Sequence, residues 1–99
     1  KTRRRGIRMV TGRKGNVLEA DIHGMGAMQA KKALEQLLSR ADDSLQELVV
    51  IHGYNGGQAL RDMVQRQLKH RRIAAKLLSL NPGATRLLQK KRGDGDGLR

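Results

Sequence analysis

The feature that most constrains this chain is a strand–helix–strand pattern running from Val17 to Ile51. Val17 to Ile22 alternates, with Leu18, Ala20 and Ile22 on one face. Ala27 to Arg40 then carries an apolar stripe at helical spacing (Ala27, Ala30, Leu34, Leu37, Leu38 and, just beyond, Ala41), and Asp42-Asp43-Ser44 breaks it. Leu48-Val49-Val50-Ile51 is a continuous apolar run, as expected of a strand covered on both faces or central in a sheet. A strand, a crossover helix and a second strand make a parallel pair with right-handed connection. Beyond Gly53–Gly57 the spacing predicts a second helix to about Lys69, burying Leu60, Met63, Val64 and Leu68. Two strands follow, Ala75–Leu80 and Thr85–Gln89, around an Asn81-Pro82-Gly83 turn. The predicted order is β-α-β-α-β-β, an α/β two-layer sandwich with a mixed four-stranded sheet.

A chain of 99 residues suits one domain with a modest core. Tyr54 is its one aromatic residue, so that core must be aliphatic. The lack of cysteine excludes disulfides and thiolate zinc sites. No apolar stretch approaches a membrane span or a signal-peptide core, which points to a cytoplasmic protein. Lys1 in place of an initiating Met suggests a piece of a larger parent protein.

Net charge is +12, unevenly spread. Residues 1–16 hold seven basic residues, Arg3, Arg4 and Arg5 among them, and no acid. They lack hydrophobic periodicity and read as a flexible basic arm, with a short extended piece around Ile7–Val10. Residues 90–99, rich in glycine, read as a flexible tail, leaving 17–89 as the domain. An arm of this kind suits a polyanion, because each neutralised phosphate releases counterions. Its lack of an amphipathic face argues for nucleic acid and against a membrane.

The chemistry sits where the parallel strands end. Asp21 and His23 project from one face of the first strand, and His52-Gly53 closes the second. Both strands finish at the same edge, the rim where open α/β sheets bind ligands. Asp21, His23 and His52 there offer general acid and base groups near neutral pH, or three ligands for a divalent metal. Singly, each has a structural reading as a turn, cap or surface residue. Gly53-Tyr54-Asn55-Gly56-Gly57 then leads into a helix, where glycines let backbone N–H groups approach a phosphate. Tyr54 offers a face for stacking a base or a cap for the core edge. Arg61, Gln65 and Lys69 recur at i, i+4 as a phosphate-contacting stripe or a solvated face. Lys69-His70-Arg71-Arg72 is a second basic cluster, with His70 expected to be exposed.

At these positions the chain resembles the Smr (small MutS-related) domain. Ala20-Asp21-Ile22-His23-Gly24 matches the family's L-D-x-H-G motif with Ala for Leu, and His52-Gly53 opens its H-G-x-G motif. Asn81-Pro82-Gly83-Ala84-Thr85 resembles its glycine before the last strand, followed closely by Thr. The resemblance covers roughly 17–89. It implies a fold similar to the C-terminal domain of bacterial translation initiation factor three. It also implies nucleic-acid binding, often with nicking of DNA or cleavage of RNA. Asp21 and His23 become the catalytic candidates, completed by His52 and Gly53. Phosphate-binding candidates are Gly24, Gly53, Tyr54, Asn55, Gly56, Gly57, Arg61, Lys69 and the arm's Arg3, Arg4 and Arg5. The chain departs from the family at Asn55, where the motif has Gly, and its loop is one residue longer. Two readings remain: an endonuclease on DNA or RNA, or a non-catalytic module that binds nucleic acid or the ribosome. A protein–protein adaptor is a third.

Overall fold

The computed structural model describes residues 8–53 and 58–90. Its sheet has five strands: β1 (Val10–Lys14), β2 (Val17–Asp21), β3 (Glu47–Ile51), β4 (Ile73–Leu78) and β5 (Ala84–Gln89). Their order across the sheet is β1-β2-β3-β5-β4. Helix α1 (Ala27–Arg40) crosses between β2 and β3, which pair in parallel with Asp21 opposite Ile51. Every other pairing is antiparallel. The apolar run of β3 is explained by its place at the centre of the sheet.

The sheet has five strands where the sequence predicts four, and the fifth, β1, lies inside the segment that the sequence predicts to be a flexible arm. Val10–Lys14 pairs with β2 through a tight turn at Gly15, whose φ of 61° suits a residue without Cβ. All five β1 residues are exposed, so the strand has no apolar alternation to betray it; backbone pairing with β2 and the bonds of Arg13 to Asp42 and Ser44 hold it. Residues 1–7 lie outside the described residues.

Helix α1 buries Ala30, Leu34 and Leu38. They meet Ala20, Ile22, Leu48, Val50 and Leu87 of the sheet side and Leu60, Met63, Val64 and Leu68 of the second helical segment. Apart from Leu87, and from Met25 in the same cluster, the inward residues are those the periodicity selects. That second segment differs from expectation. α2 is a short helix, Gln58–Asp62, that passes into a π-helical turn over Met63–Gln67. The turn closes with Leu68 N–H donating to Met63 O at 2.7 Å. From β4, the Lys76 ammonium reaches across and donates to the carbonyls of Val64 (2.9 Å) and Gln65 (3.3 Å) and to that of Leu68. A cation thus satisfies the carbonyls that a widened helix end leaves open.

The basic cluster after this segment is split in role. Arg72 is buried and donates to the carbonyls of Ala41 (2.9 Å), Asp42 (3.2 Å) and Lys90 (3.2 Å). It is a strut between the α1–β3 loop and the end of β5. His70 is half-buried rather than exposed. Its Nδ1 accepts the Arg72 N–H at 3.1 Å, so Nε2 carries the proton and donates to Ser39 Oγ at 3.1 Å. Burial, then the charges of Arg71 and Arg72, hold its pKa below the usual value.

Candidate active site at the sheet rim

The parallel ladder ends with Ile22 N–H donating to Ile51 O at 2.9 Å. Immediately beyond, β2 turns at His23-Gly24, where Gly24 takes a φ of 84°, and α1 begins after Gly26. The turn folds His23 back on Asp21. Oδ1 of Asp21 accepts both the His23 backbone N–H at 3.1 Å and ring Nδ1–H at 2.6 Å. Burial alone would raise the Asp21 pKa, but the two hydrogen bonds and the charge of His23 outweigh it and hold it below the usual carboxylate value. In the neutral form of the ring an ionised acceptor fixes the tautomer: Nδ1 bears hydrogen and Nε2 presents the lone pair. The His23 side chain is 71% exposed, so that lone pair belongs to a group open to solvent.

His52 follows the other strand but has a different environment. Its residue is 1% exposed. Its backbone N–H and that of Gly53 both donate to Gly83 O, at 2.8 and 3.0 Å. Its ring Nδ1 faces Gly53 O at 3.4 Å, a long contact. Nε2 accepts the hydroxyl of Thr85 at 2.9 Å, and Thr85 Oγ1 accepts the Gln65 side-chain N–H at 3.0 Å. Burial and the nearby charge of Arg61 depress its pKa, which the Gly53 contact only partly offsets. His52 is therefore a neutral ring inside a buried polar chain.

Among the described residues no group of three or more His, Asp or Glu side chains could hold a metal ion. Asp21, His23 and His52 thus do not assemble as the three-ligand site the sequence allowed: two meet, and the third turns into the core. Gly53 keeps the two parts close. Its φ is 87°, and a Cβ built on it would lie 3.4 Å from His23 Cβ. Of the other candidates, Arg61 and Lys69 are exposed, but the stripe joining them is broken. Gln65 turns inward to Thr85, because the π turn changes the residues per turn. Tyr54, Asn55, Gly56 and Gly57, and Arg3, Arg4 and Arg5, lie outside the described residues.

Two participants carry no role predicted from the sequence, Thr85 and the Gly83 carbonyl, and a third, Gln65, turns to Thr85 instead of joining the expected stripe. A signal for Thr85 was present, since it shares the inward face of its strand with Leu87 and is a polar residue in an apolar register. Asn81 adds a second support, its Oδ1 accepting the Gly83 N–H at 2.9 Å.

The fold and rim define a small α/β domain with an Asp–His pair at the carboxyl end of a parallel strand pair. Residues 20–86 match the Smr domain, about two thirds of the chain, so the chain belongs to the Smr domain family. Domains of this family generally bind nucleic acid, and some act as nucleases. No curated protein and no solved structure matched the chain. Among the described residues no helix is long and apolar enough to cross a membrane.

Proposed function

We propose that this Smr domain cleaves phosphodiester bonds of DNA or RNA, with Asp21 and His23 as the working pair. The observation that carries the reading is the 2.6 Å Asp21–His23 contact at an exposed rim. With Nδ1 held by the carboxylate, Nε2 takes a proton from an attacking water as its oxygen bonds to phosphorus. The phosphorus–oxygen bond to the leaving nucleoside breaks, and that oxygen is protonated from solvent. The Asp21 carboxylate stabilises the imidazolium formed in this step. His52 does not contact the substrate; it holds the loop at Gly53. Plasmid DNA and a structured RNA incubated with the wild type and His23→Ala test the reading. Cleavage by the wild type alone supports it, and equal background cleavage by both removes it.

A second reading, a non-catalytic module on nucleic acid or the ribosome, is favoured by the charge of the first residues. Removing residues 1–7, which stops short of β1, should then cost most of the affinity and flatten its salt dependence.

A further inference from the structure

The sequence places most of the excess charge in the first sixteen residues, but the folded part has an uneven distribution of its own. Its acids are largely occupied by basic partners. Asp42 pairs with Arg13, Glu35 with Lys31 and Glu47 with Arg86, while Asp43 stands 4.0 Å from buried Arg72. Of the exposed cations left over among the described residues, six gather on the helical layer, whereas Arg8, Lys14 and Lys90 lie elsewhere. Arg61 lies on α2, Arg66 on the π turn, and Lys69 and Arg71 just after it. α1 packs against this segment and adds Lys32 and Arg40 on its exposed side. The Ser39–His70 hydrogen bond ties the end of α1 to the 69–71 stretch, making the two edges one surface.

Three titratable groups register this charge in turn along the layer. Arg61 lowers the pKa of His52, Lys69 that of Lys76, and Arg71 with Arg72 that of His70, each after burial and, for His70, against the opposing charge of Glu35. Six cations thus face two nearby acids, Asp62 on α2 and Glu35 on α1, and their net repulsion is a cost that an anionic partner removes.

We propose that Arg61, Arg66, Lys69 and Arg71, flanked by Lys32 and Arg40, form a docking surface for the phosphate backbone of nucleic acid. The surface begins beside the rim, where Arg61 acts on His52, and runs to the far end of the domain. The segment is α-helical to Asp62, π-helical to Gln67 and non-helical through Lys69 and Arg71. One strand of a duplex presents a phosphate every ~3.4 Å along its axis, so a strip from the rim to the far end of the layer meets several. It carries no base-reading element, so the affinity is sequence-independent and salt-sensitive. The inference rests on the nucleic-acid reading but not on cleavage.

The test compares two double variants of equal net charge. Arg66→Glu/Lys69→Glu alters the strip, and Arg8→Glu/Lys14→Glu alters the segment around the edge strand β1. Fluorescence anisotropy with labelled duplex and single-stranded DNA and RNA, from low to moderate salt, gives affinity and salt slope. The strip variant should bind at least tenfold more weakly, with a slope of log K against log salt flatter by about 2. The β1 variant should lose clearly less. Equal losses, or none, overturn the proposal, because net charge alone would then explain binding. Arg66→Gln/Lys69→Gln repeats the comparison without charge reversal should the first variant unfold. Cleavage by the strip variant should recover at saturating nucleic acid, so loss of docking and loss of chemistry are separately read. If the wild type binds no nucleic acid at low salt but binds phosphatidylserine vesicles through Arg66 and Lys69, the partner is lipid and the proposal falls.

Discussion

Nε2 of His52 accepts the Thr85 hydroxyl at 2.9 Å inside the core, and this bond makes the third motif of the chain a support for the second. Thr85 passes hydrogen bonding on to Gln65 of the π turn, while Gly83, two residues earlier, receives the backbone N–H groups of His52 and Gly53. Side chain and backbone together fix the point where β3 leaves the sheet. Thr85→Val keeps the shape but leaves Nε2 of His52 and the Gln65 amide without a partner. A loss of about 1–3 kcal/mol follows from stranding buried polar groups. Urea unfolding should show it, and Thr85→Ser should restore most of it; a Val variant as stable as wild type would show that the chain of bonds contributes nothing.

Stability should also fall on mild acidification. His52 has an ordinary pKa of 6.5, and burial lowers it in the folded state. Above that value both folded and unfolded rings are neutral and the full stability is present. As pH falls below about 6.5 the unfolded ring takes up a proton first, so stability is lost until the folded pKa is reached. His70 is lowered as well and acts in the same direction. Unfolding midpoints at pH 7.5 and 5.5 should therefore differ, and His52→Gln should narrow the gap. A midpoint that rises on acidification would contradict the buried, neutral state of these rings.

Much of this arrangement could be read from sequence because it follows from periodicity. Leu18, Ala20 and Ile22 gave the inward face of β2, and Leu48–Ile51 gave a central strand. The parallel unit between them brought Asp21, His23 and His52 to one end of the sheet. Periodicity says where a Cβ points but not which neighbour it meets. The inward turn of the His52 ring depends on Thr85 from a strand 33 residues later. The burial of Arg72 depends on carbonyls at Ala41, Asp42 and Lys90, none of them local. β1 was hidden for the opposite reason: its pairing with β2 is by backbone, its side-chain tie from Arg13 to Asp42 and Ser44 spans 29 residues or more, and exposed residues carry no periodicity.

The left-handed turn at Gly53 ties loop geometry to the catalytic pair. At a φ of 87° an alanine is strained, by about 1–2 kcal/mol, and its Cβ comes against His23. Gly53→Ala should therefore lower both the unfolding midpoint and any cleavage, whereas Gly12→Ala meets open space at a site without positive φ and should change neither. Cleavage by Gly53→Ala equal to wild type would separate this turn from the site.

Asp21→Asn addresses the pair itself. An amide retains the shape and a hydrogen-bonding oxygen but not the charge that fixes Nδ1–H and stabilises an imidazolium. General-base assistance is worth about 10²–10⁴ in rate, so cleavage should fall by a large part of that range. Nucleic-acid affinity should hold, because the docking charges lie on the helical layer. Nitrogen chemical shifts of His23 should show Nε2–H gaining population as the carboxylate's preference for Nδ1–H disappears. If cleavage falls while the tautomer stays unchanged, Asp21 acts through its charge at the phosphate and not through His23.

Arg72 offers a prediction independent of function. Its guanidinium spreads donors over three carbonyls from two loops, a geometry that a single ammonium cannot copy. Arg72→Lys keeps the charge and most of the apolar stem but reaches fewer of the carbonyls, so it should cost about 2–3 kcal/mol. Arg72→Ala should cost at least as much and also loosen the neighbouring Lys90 N–H bond to the Arg72 carbonyl, which is 2.7 Å in the intact protein. Amide exchange at Lys90 and Ile73 should then accelerate more than exchange at Val50 in the central strand. Uniform acceleration across all three would mean that the strut supports the whole domain rather than its far end.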